Sequence, residues 1–226
     1  MGRISDVFET LVVLDTETTG LFPQRDEIIE FGGQRLKKAG DGFVPDGELD
    51  CFITLRDGRP IPPKIVELTG ITQALLDREG IPGARAAEQI ASLLTGNKVL
   101  CVAFNAQFDL CFLYYFLARY GYADCLRQMK FLDALTVYKD RRPYPHRLCN
   151  AIEAYHLSDC VNSHRAVDDA AATVQLLAAM EAEKEDILNY VNLFGYHPKF
   201  GVSGKRISSI RYVPQPYEAH LPLYMR

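Results

Sequence analysis

The residues of this chain that could do chemistry fall in three short runs. DTETTG places Asp15 and Glu17 two apart, FNAQFD carries Asp109, and SHRAVDDAAAT carries His164, Asp168 and Asp169. Asp15 and Glu17 end an apolar, β-branched stretch, and a strand there projects both carboxylates from one face. Two carboxylates at the end of a buried strand repel each other and are costly to desolvate. A divalent cation is the simplest compensation, and Mg²⁺ or Mn²⁺, as hard ions, prefer such oxygen ligands. Taken alone, each run also has a plainer meaning. An Asp-x-Glu pair is more often a solvent-exposed acidic loop. Asp109, Asp168 and Asp169 read as first-turn acids favoured by a helix dipole, and His164 as an exposed or capping residue.

The elements that must position these groups are visible in the hydrophobic pattern. Residues 8–18 read as a buried strand and 27–37 as a second, bulged at Gly32-Gly33. DGFVPDG is turn-rich, and 49–55 form a third strand, giving an antiparallel meander. PPKIVELTG is a short helix opened by proline and closed by Gly70, and Thr72 can cap the next turn. Helices follow over 84–94, 106–120, 134–138, 147–156 and 166–183, with strands at 98–104 and 129–132 between them. The pattern predicts an α/β domain: a mixed sheet, antiparallel meander plus parallel βα units, flanked by helices. Asp109 then sits where a strand hands over to a helix. Sites in α/β sheets gather there, so it can approach Asp15.

The 226 residues fit one domain over 1–186 with an appendix over 187–226. The appendix is rich in Tyr, Pro and Gly, and sets Lys199, Lys205, Arg206, Arg211 and Arg226 against Glu218 alone. It reads as an irregular extension packed on or beside the domain. A net charge of −4 argues against a broad, non-specific nucleic-acid binder. It leaves a nuclease open, because carboxylates gathered to hold cations are themselves a source of negative charge. The six cysteines show no Cys-x-x-Cys spacing, which excludes the usual zinc frameworks and predicts buried reduced thiols. There is no secretory signal. Asp6 stands where myristoylation needs Ser or Thr, and the longest apolar run, 110–118, cannot span a bilayer. A cytoplasmic protein with no membrane role is expected. YKDRRPYPHR (Lys139, Arg141, Arg142, Arg147) reads either as a phosphate-neutralising patch or as a solvated loop. GVSGKR fails phosphate-loop spacing, since Arg206 replaces the required Ser or Thr.

In their order and distances, DTETTG, NAQFD and HRAVDDA together resemble the DnaQ-like (DEDDh) 3′→5′ exonucleases, which include proofreading exonuclease subunits of bacterial replicative polymerases. TGIT at 69–72 is similar too, and the resemblance spans about residues 8–183. It implies a ribonuclease H-like fold and two divalent cations, Mg²⁺ or Mn²⁺. Asp15 would be shared by both, Glu17 and Asp169 would complete the first, and Asp109 would serve the second through water. The family spacing pairs His164 with Asp169 and leaves Asp168 one residue short. His164 would then be the base toward the attacking water. Thr18, Thr19, Gly20 and Leu21 would contact the terminal nucleotide, with Leu21 wedged at its base and Asn105 and Phe108 as neighbours. The implied activity is release of nucleoside monophosphates from single-stranded or frayed DNA 3′ ends in proofreading or repair, with a DNA polymerase as candidate partner. Two rivals remain at this level. One is an exoribonuclease of the same fold, since contacts to the 2′-hydroxyl decide sugar choice. The other is a non-catalytic nucleic-acid or polymerase-binding module.

Overall fold

The structure is a computed structural model describing residues 2–56, 58–157, 165–216 and 220–226. A short helix, α1 (Ile4–Val7), leads into β1 (Thr10–Thr18), β2 (Ile28–Ala39) and β3 (Gly42–Phe52). Then come α2 (Pro63–Thr69), α3 (Gln73–Glu79), α4 (Gly83–Leu94), β4 (Val99–Ala103), α5 (Ala106–Arg119) and a 3₁₀ turn over Ala123–Gln128. β5 (Lys130–Asp133), α6 (Ala134–Arg141), α7 (Leu148–Ala154) and α8 (Ala166–Glu183) complete the main body. A 3₁₀ turn at Ile187–Tyr190, β6 (Leu193–Tyr196), β7 (Arg211–Pro214) and a last turn at Leu223–Met225 follow.

Five strands form one sheet in the order β3-β2-β1-β4-β5. The first three are antiparallel, and β1, β4 and β5 run parallel. This is the mixed sheet of a ribonuclease H-like fold, as the pattern and the resemblance implied. β4 is buried at every position, as a parallel strand covered on both faces must be. The alternation of β1 divides two cores. Val12 and Leu14 pack with Ile90, Leu94, Leu113 and Leu117 of α4 and α5. Leu11 and Val13 pack with Val137, Leu176 and Met180 of α6 and α8. Gly70 closes α2 in the left-handed region at φ 73°, and the Thr72 hydroxyl accepts from Leu75 N, both as predicted. Among the described residues, no helix is long and apolar enough to cross a membrane.

Four local expectations need correction. The irregularity in β2 lies at Ile29, opposite the Glu17/Thr18 step, and a second falls in β3 at Asp46, opposite Arg35/Leu36, so neither is at Gly32-Gly33. Those glycines remain in register, paired with Asp15 and Leu14. The third strand continues through VPDG with a bulge at Asp46, because ten residues of β2 offer it ladder partners and the turn is made earlier, at Gly40–Asp41. The tail is not wholly irregular, since β6 and β7 pair in parallel. Asn192 docks that pair beside β5: its backbone N donates to Phe131 O at 2.7 Å and its side chain accepts from Phe131 N at 2.8 Å. Cysteine burial also has an exception. Cys101 and Cys111 are buried, Cys51 and Cys125 partly so, but Cys149 is exposed on the short α7. Cys160 lies outside the described residues.

Candidate active site

Beyond Val13, which pairs with Val102, β1 outruns β4, and the chain leaves β4 to enter α5. The last residues of β1 therefore lie past the end of β4, where no strand pairs with them on that side. Alternation sends Asp15 and Glu17 to the face that α8 covers, the same face as Leu11 and Val13. There they meet Asp169, and one carboxylate oxygen of each lies within 4.8 Å of the other two. Asp168 and Asp109 are not part of that trio. Thr16, on the opposite face, points toward α5, and its hydroxyl donates to Asp109 Oδ1 at 2.7 Å.

The approach of α8 has a local cause. Gly32 lies beside Asp15 in β2, and a β-carbon there would collide with the Ala166 carbonyl carbon and Val167 N. Only glycine leaves room for the start of the helix. Glu30, fully buried two residues earlier, accepts from Arg165 Nε at 2.7 Å and from Ala166 N at 3.2 Å. Arg165 also lies over the Phe52 ring, 4.8 Å from its centroid. Asp169 thus reaches the trio because a buried ion pair and a missing side chain seat the first turn of α8.

Asp133 does the corresponding work for α5. Its Oδ1 accepts from Asn105 N at 2.9 Å, Ala106 N at 3.0 Å and Leu135 N at 3.2 Å, and its Oδ2 from the Thr136 hydroxyl at 2.6 Å. One buried carboxylate therefore ties the starts of α5 and α6 together. Asn105 takes the left-handed turn at φ 73°, a conformation asparagine tolerates better than most residues. Asp109 then falls in the first turn of α5.

The electrostatics are those of an anionic cluster short of positive charge. The cost of withdrawing Asp15 from water, with Asp109, Glu17 and Asp169 adding repulsion, holds its carboxyl well above the usual range. Glu17 is pushed up to about 8, by burial first and then by Glu30, Asp169 and Asp109. Burial lifts Asp109 to about 7, against the lowering effect of the Thr16 hydroxyl. Such groups favour a proton, or a cation in its place.

The Thr18 hydroxyl donates to Gly20 O at 2.7 Å, and Thr19 Oγ1 accepts from Glu27 N at 2.9 Å, so both hydroxyls brace the loop. Leu21 is 74% exposed at its tip. Phe108 packs on Phe112 with ring centroids 4.9 Å apart and is only partly buried. His164 lies outside the described residues. The basic run is corrected in part: Arg141 is buried against Asp186 at 2.6 Å and Glu183 at 3.1 Å, and Arg142 also pairs with Glu183. Arg141 is thus a structural cation rather than a phosphate ligand or a solvated one. Sequence reasoning passed over Glu30, Arg165 and Asp133. An acid inside the apolar run IIEFGG was a signal for the first, and an acid after FL and before ALT was a helix-cap signal for the last.

Residues 12–177 match the RNase_T family model, described as exonuclease. The chain is 37% identical over 181 residues to a DNA polymerase III PolC-type from Clostridium perfringens, covering 78% of this chain and 11% of that one. It is 30% identical over 175 residues to the 3′-5′ exonuclease DinG of Staphylococcus aureus, covering 74% of this chain and 18% of that one. It thus spans less than a fifth of either relative's length. The fold is also that of E. coli exonuclease I, in the zinc-bound form of its complex with single-stranded DNA. There the TM-score is 0.68 at 23% identity, covering 81% of this chain and 42% of that one.

Proposed function

This chain belongs to the RNase_T exonuclease family, and on that premise we propose that it removes nucleoside monophosphates from the 3′ ends of single-stranded or frayed DNA. The observation that carries the reading is the meeting of Asp15, Glu17 and Asp169 within 4.8 Å, with Asp109 close enough to raise the charge cost of Asp15. A cluster of hard oxygen donors that resist ionisation fits divalent cations, and Mg²⁺ or Mn²⁺ suit it best. Asp15, Glu17 and Asp169 would hold one ion, and Asp15 with Asp109 a second. When bound, the pair would neutralise the charge that develops on the phosphoryl and leaving 3′ oxygens.

The chain's own residues divide the remaining work. Arg165, clamped by Glu30, sets the start of α8 and with it Asp169. His164, the residue before Arg165, would accept the proton of the attacking water. Leu21, exposed on a loop braced by Thr18 and Thr19, would lie against the terminal base. Gly20, Asn105 and Phe108 would border the same nucleotide. In this reading residues 1–186 form the catalytic unit and 187–226 an extension docked against β5. The PolC-type relatives support a proofreading setting beside a polymerase, in which 3′-mismatched ends would be preferred.

The test is degradation of single-stranded DNA, labelled at either end, with Mg²⁺ or Mn²⁺ and with EDTA, beside matched RNA and 3′-mismatched duplexes. Cation-dependent shortening from the 3′ end is expected. Asp15→Ala should abolish it, and His164→Ala should cost on the order of 10²–10⁴ in rate while leaving cation binding intact. No such shortening by the wild type would refute the reading. Faster attack on RNA would favour the exoribonuclease.

A further inference from the structure

A second recess, of about 530 Å³, lies outside the acidic trio between α5, the 3₁₀ turn at Ala123–Gln128 and the tail segment 205–209. Leu110, Leu126 and Phe131 form its apolar floor, while Tyr114, Tyr115, Lys205 and Arg206 stand around it. The tail segment is built onto α5 rather than lying loose. The buried Gln107 donates to Lys205 O at 2.7 Å and accepts from the Tyr212 hydroxyl at 2.6 Å, and that hydroxyl accepts from Ile207 N at 2.9 Å. With the backbone held this way, both basic side chains remain exposed. Lys205 Nζ sits 4.8 Å from the centroid of the exposed Tyr114 ring, and the Arg206 guanidinium 5.3 Å from that of Tyr212. Among the described residues, neither cation is in an ion pair.

Two cations without carboxylate partners, on a chain of net charge −4, are complementary to phosphate. The exposed Tyr114, with the half-buried Tyr115 edge-on to it at 5.4 Å between ring centroids, offers an aromatic face to a base, and single-strand grooves combine such a face with nearby cations. The recess shares α5 with the acidic site and touches the loop that follows β1. Gln24 Nε2, from the loop after β1, donates to the Tyr115 hydroxyl at 3.1 Å. Tyr114 lies on the same helix as Asp109, about 8 Å further along its axis and about 140° around it, so a strand would have to pass over α5 to reach both. We propose that this recess holds a nucleotide of the bound strand upstream of the scissile bond, its base against Tyr114 and Tyr115 and its phosphate on Lys205 and Arg206. The inference rests on the nuclease reading above and adds a second contact point for the same strand.

The experiment uses the full chain and oligothymidylates from a dinucleotide to strands of about ten nucleotides. Binding is read by anisotropy in EDTA, turnover with Mg²⁺, and folding by circular dichroism. Wild-type KM should fall with length until the strand reaches the recess. K205A/R206A and Y114A should each raise KM for long strands about tenfold or more, with kcat and dinucleotide hydrolysis unchanged. The salt slope of binding should fall by about 0.7 for each phosphate that K205A/R206A leaves unneutralised. Folded variants with unaltered KM and salt slope on long strands would overturn the assignment. So would loss of thymidine monophosphate binding, followed by tyrosine fluorescence, with strand binding untouched, because the recess would then be a free-nucleotide site. A wild type that binds strands without cutting them would instead refute the nuclease reading, and the anisotropy comparison would still decide the recess.

Discussion

Glu17 and Glu30 lie directly opposite each other across the β1–β2 ladder, a pairing of like charges that costs stability unless it is offset. Arg165 offsets Glu30, and among the described residues no ion pair does the same for Glu17. Burial first, and then repulsion from Glu30, Asp169 and Asp109, moves its carboxyl from an ordinary 4.5 to about 8. Between those values the folded chain binds a proton that the unfolded chain has released. The stability this proton confers is present below about 4.5 and is lost as pH rises toward about 8. A cation compensates only when the carboxylates are ionised. The rise in Tm on adding Mg²⁺ or Mn²⁺ should thus be larger at about pH 9 than at about pH 6. A Tm increment that does not change with pH, by scanning calorimetry, would exclude the trio as the ligand set. At this scale local spacing was informative for Asp15 and Glu17, two apart on one strand, while Asp109 and Asp169 were picked out by the order of the motifs. Both were silent on Glu30, because only the folded ladder brings it opposite Glu17.

At the scale of elements, the decisive contact is β2 against the start of α8. Gly32 looks like a strand irregularity in the sequence, yet it is a flat, in-register position that makes space for backbone. Gly32→Ala would push Ala166 and Val167 off the sheet and carry Asp169 away from Asp15. We expect about 1–3 kcal/mol of destabilisation in urea titrations, typical of overpacking. The loss of Mn²⁺ affinity, read by calorimetry on folded protein below the transition, should exceed what that destabilisation explains. A variant with weakened folding but wild-type Mn²⁺ affinity would show that α8 is seated by Glu30 and Arg165 alone. The helices themselves were legible, since α4 and α8 carry apolar periodicity and strong helix formers, and Gly70 and Thr72 mark the boundary between α2 and α3. The sequence pattern cuts β3 short because VPDG has turn chemistry, which the long β2 ladder overrides.

For the whole molecule, the tail is fastened at two places by buried polar groups. Arg141 Nη2 meets Asp186, which is 3% exposed, at 2.6 Å; Asp186 also accepts from the Tyr224 hydroxyl at 3.0 Å. Asp140 accepts from Tyr190 and from Leu223 N, both at 2.7 Å. Arg141→Ala would leave Asp186 with Lys184, whose side chain is half exposed, as its remaining ion-pair partner. It should cost about 3 kcal/mol, the lower end for breaking a buried pair. The check is the urea midpoint at unchanged slope, and a shift no larger than that of an exposed arginine would refute the pairing. The sequence alone determined the order of the carboxylates, the shared face of Asp15 and Glu17 and the α/β sheet. Strand alternation and helix periodicity act over a few residues and survive in one dimension. Only the tertiary structure decided that Glu30 grips Arg165 across 135 positions, that Gly32 makes room for α8, and that Lys205 and Arg206 stand beside Tyr114. Those juxtapositions depend on which surfaces pack together, and no local pattern records that.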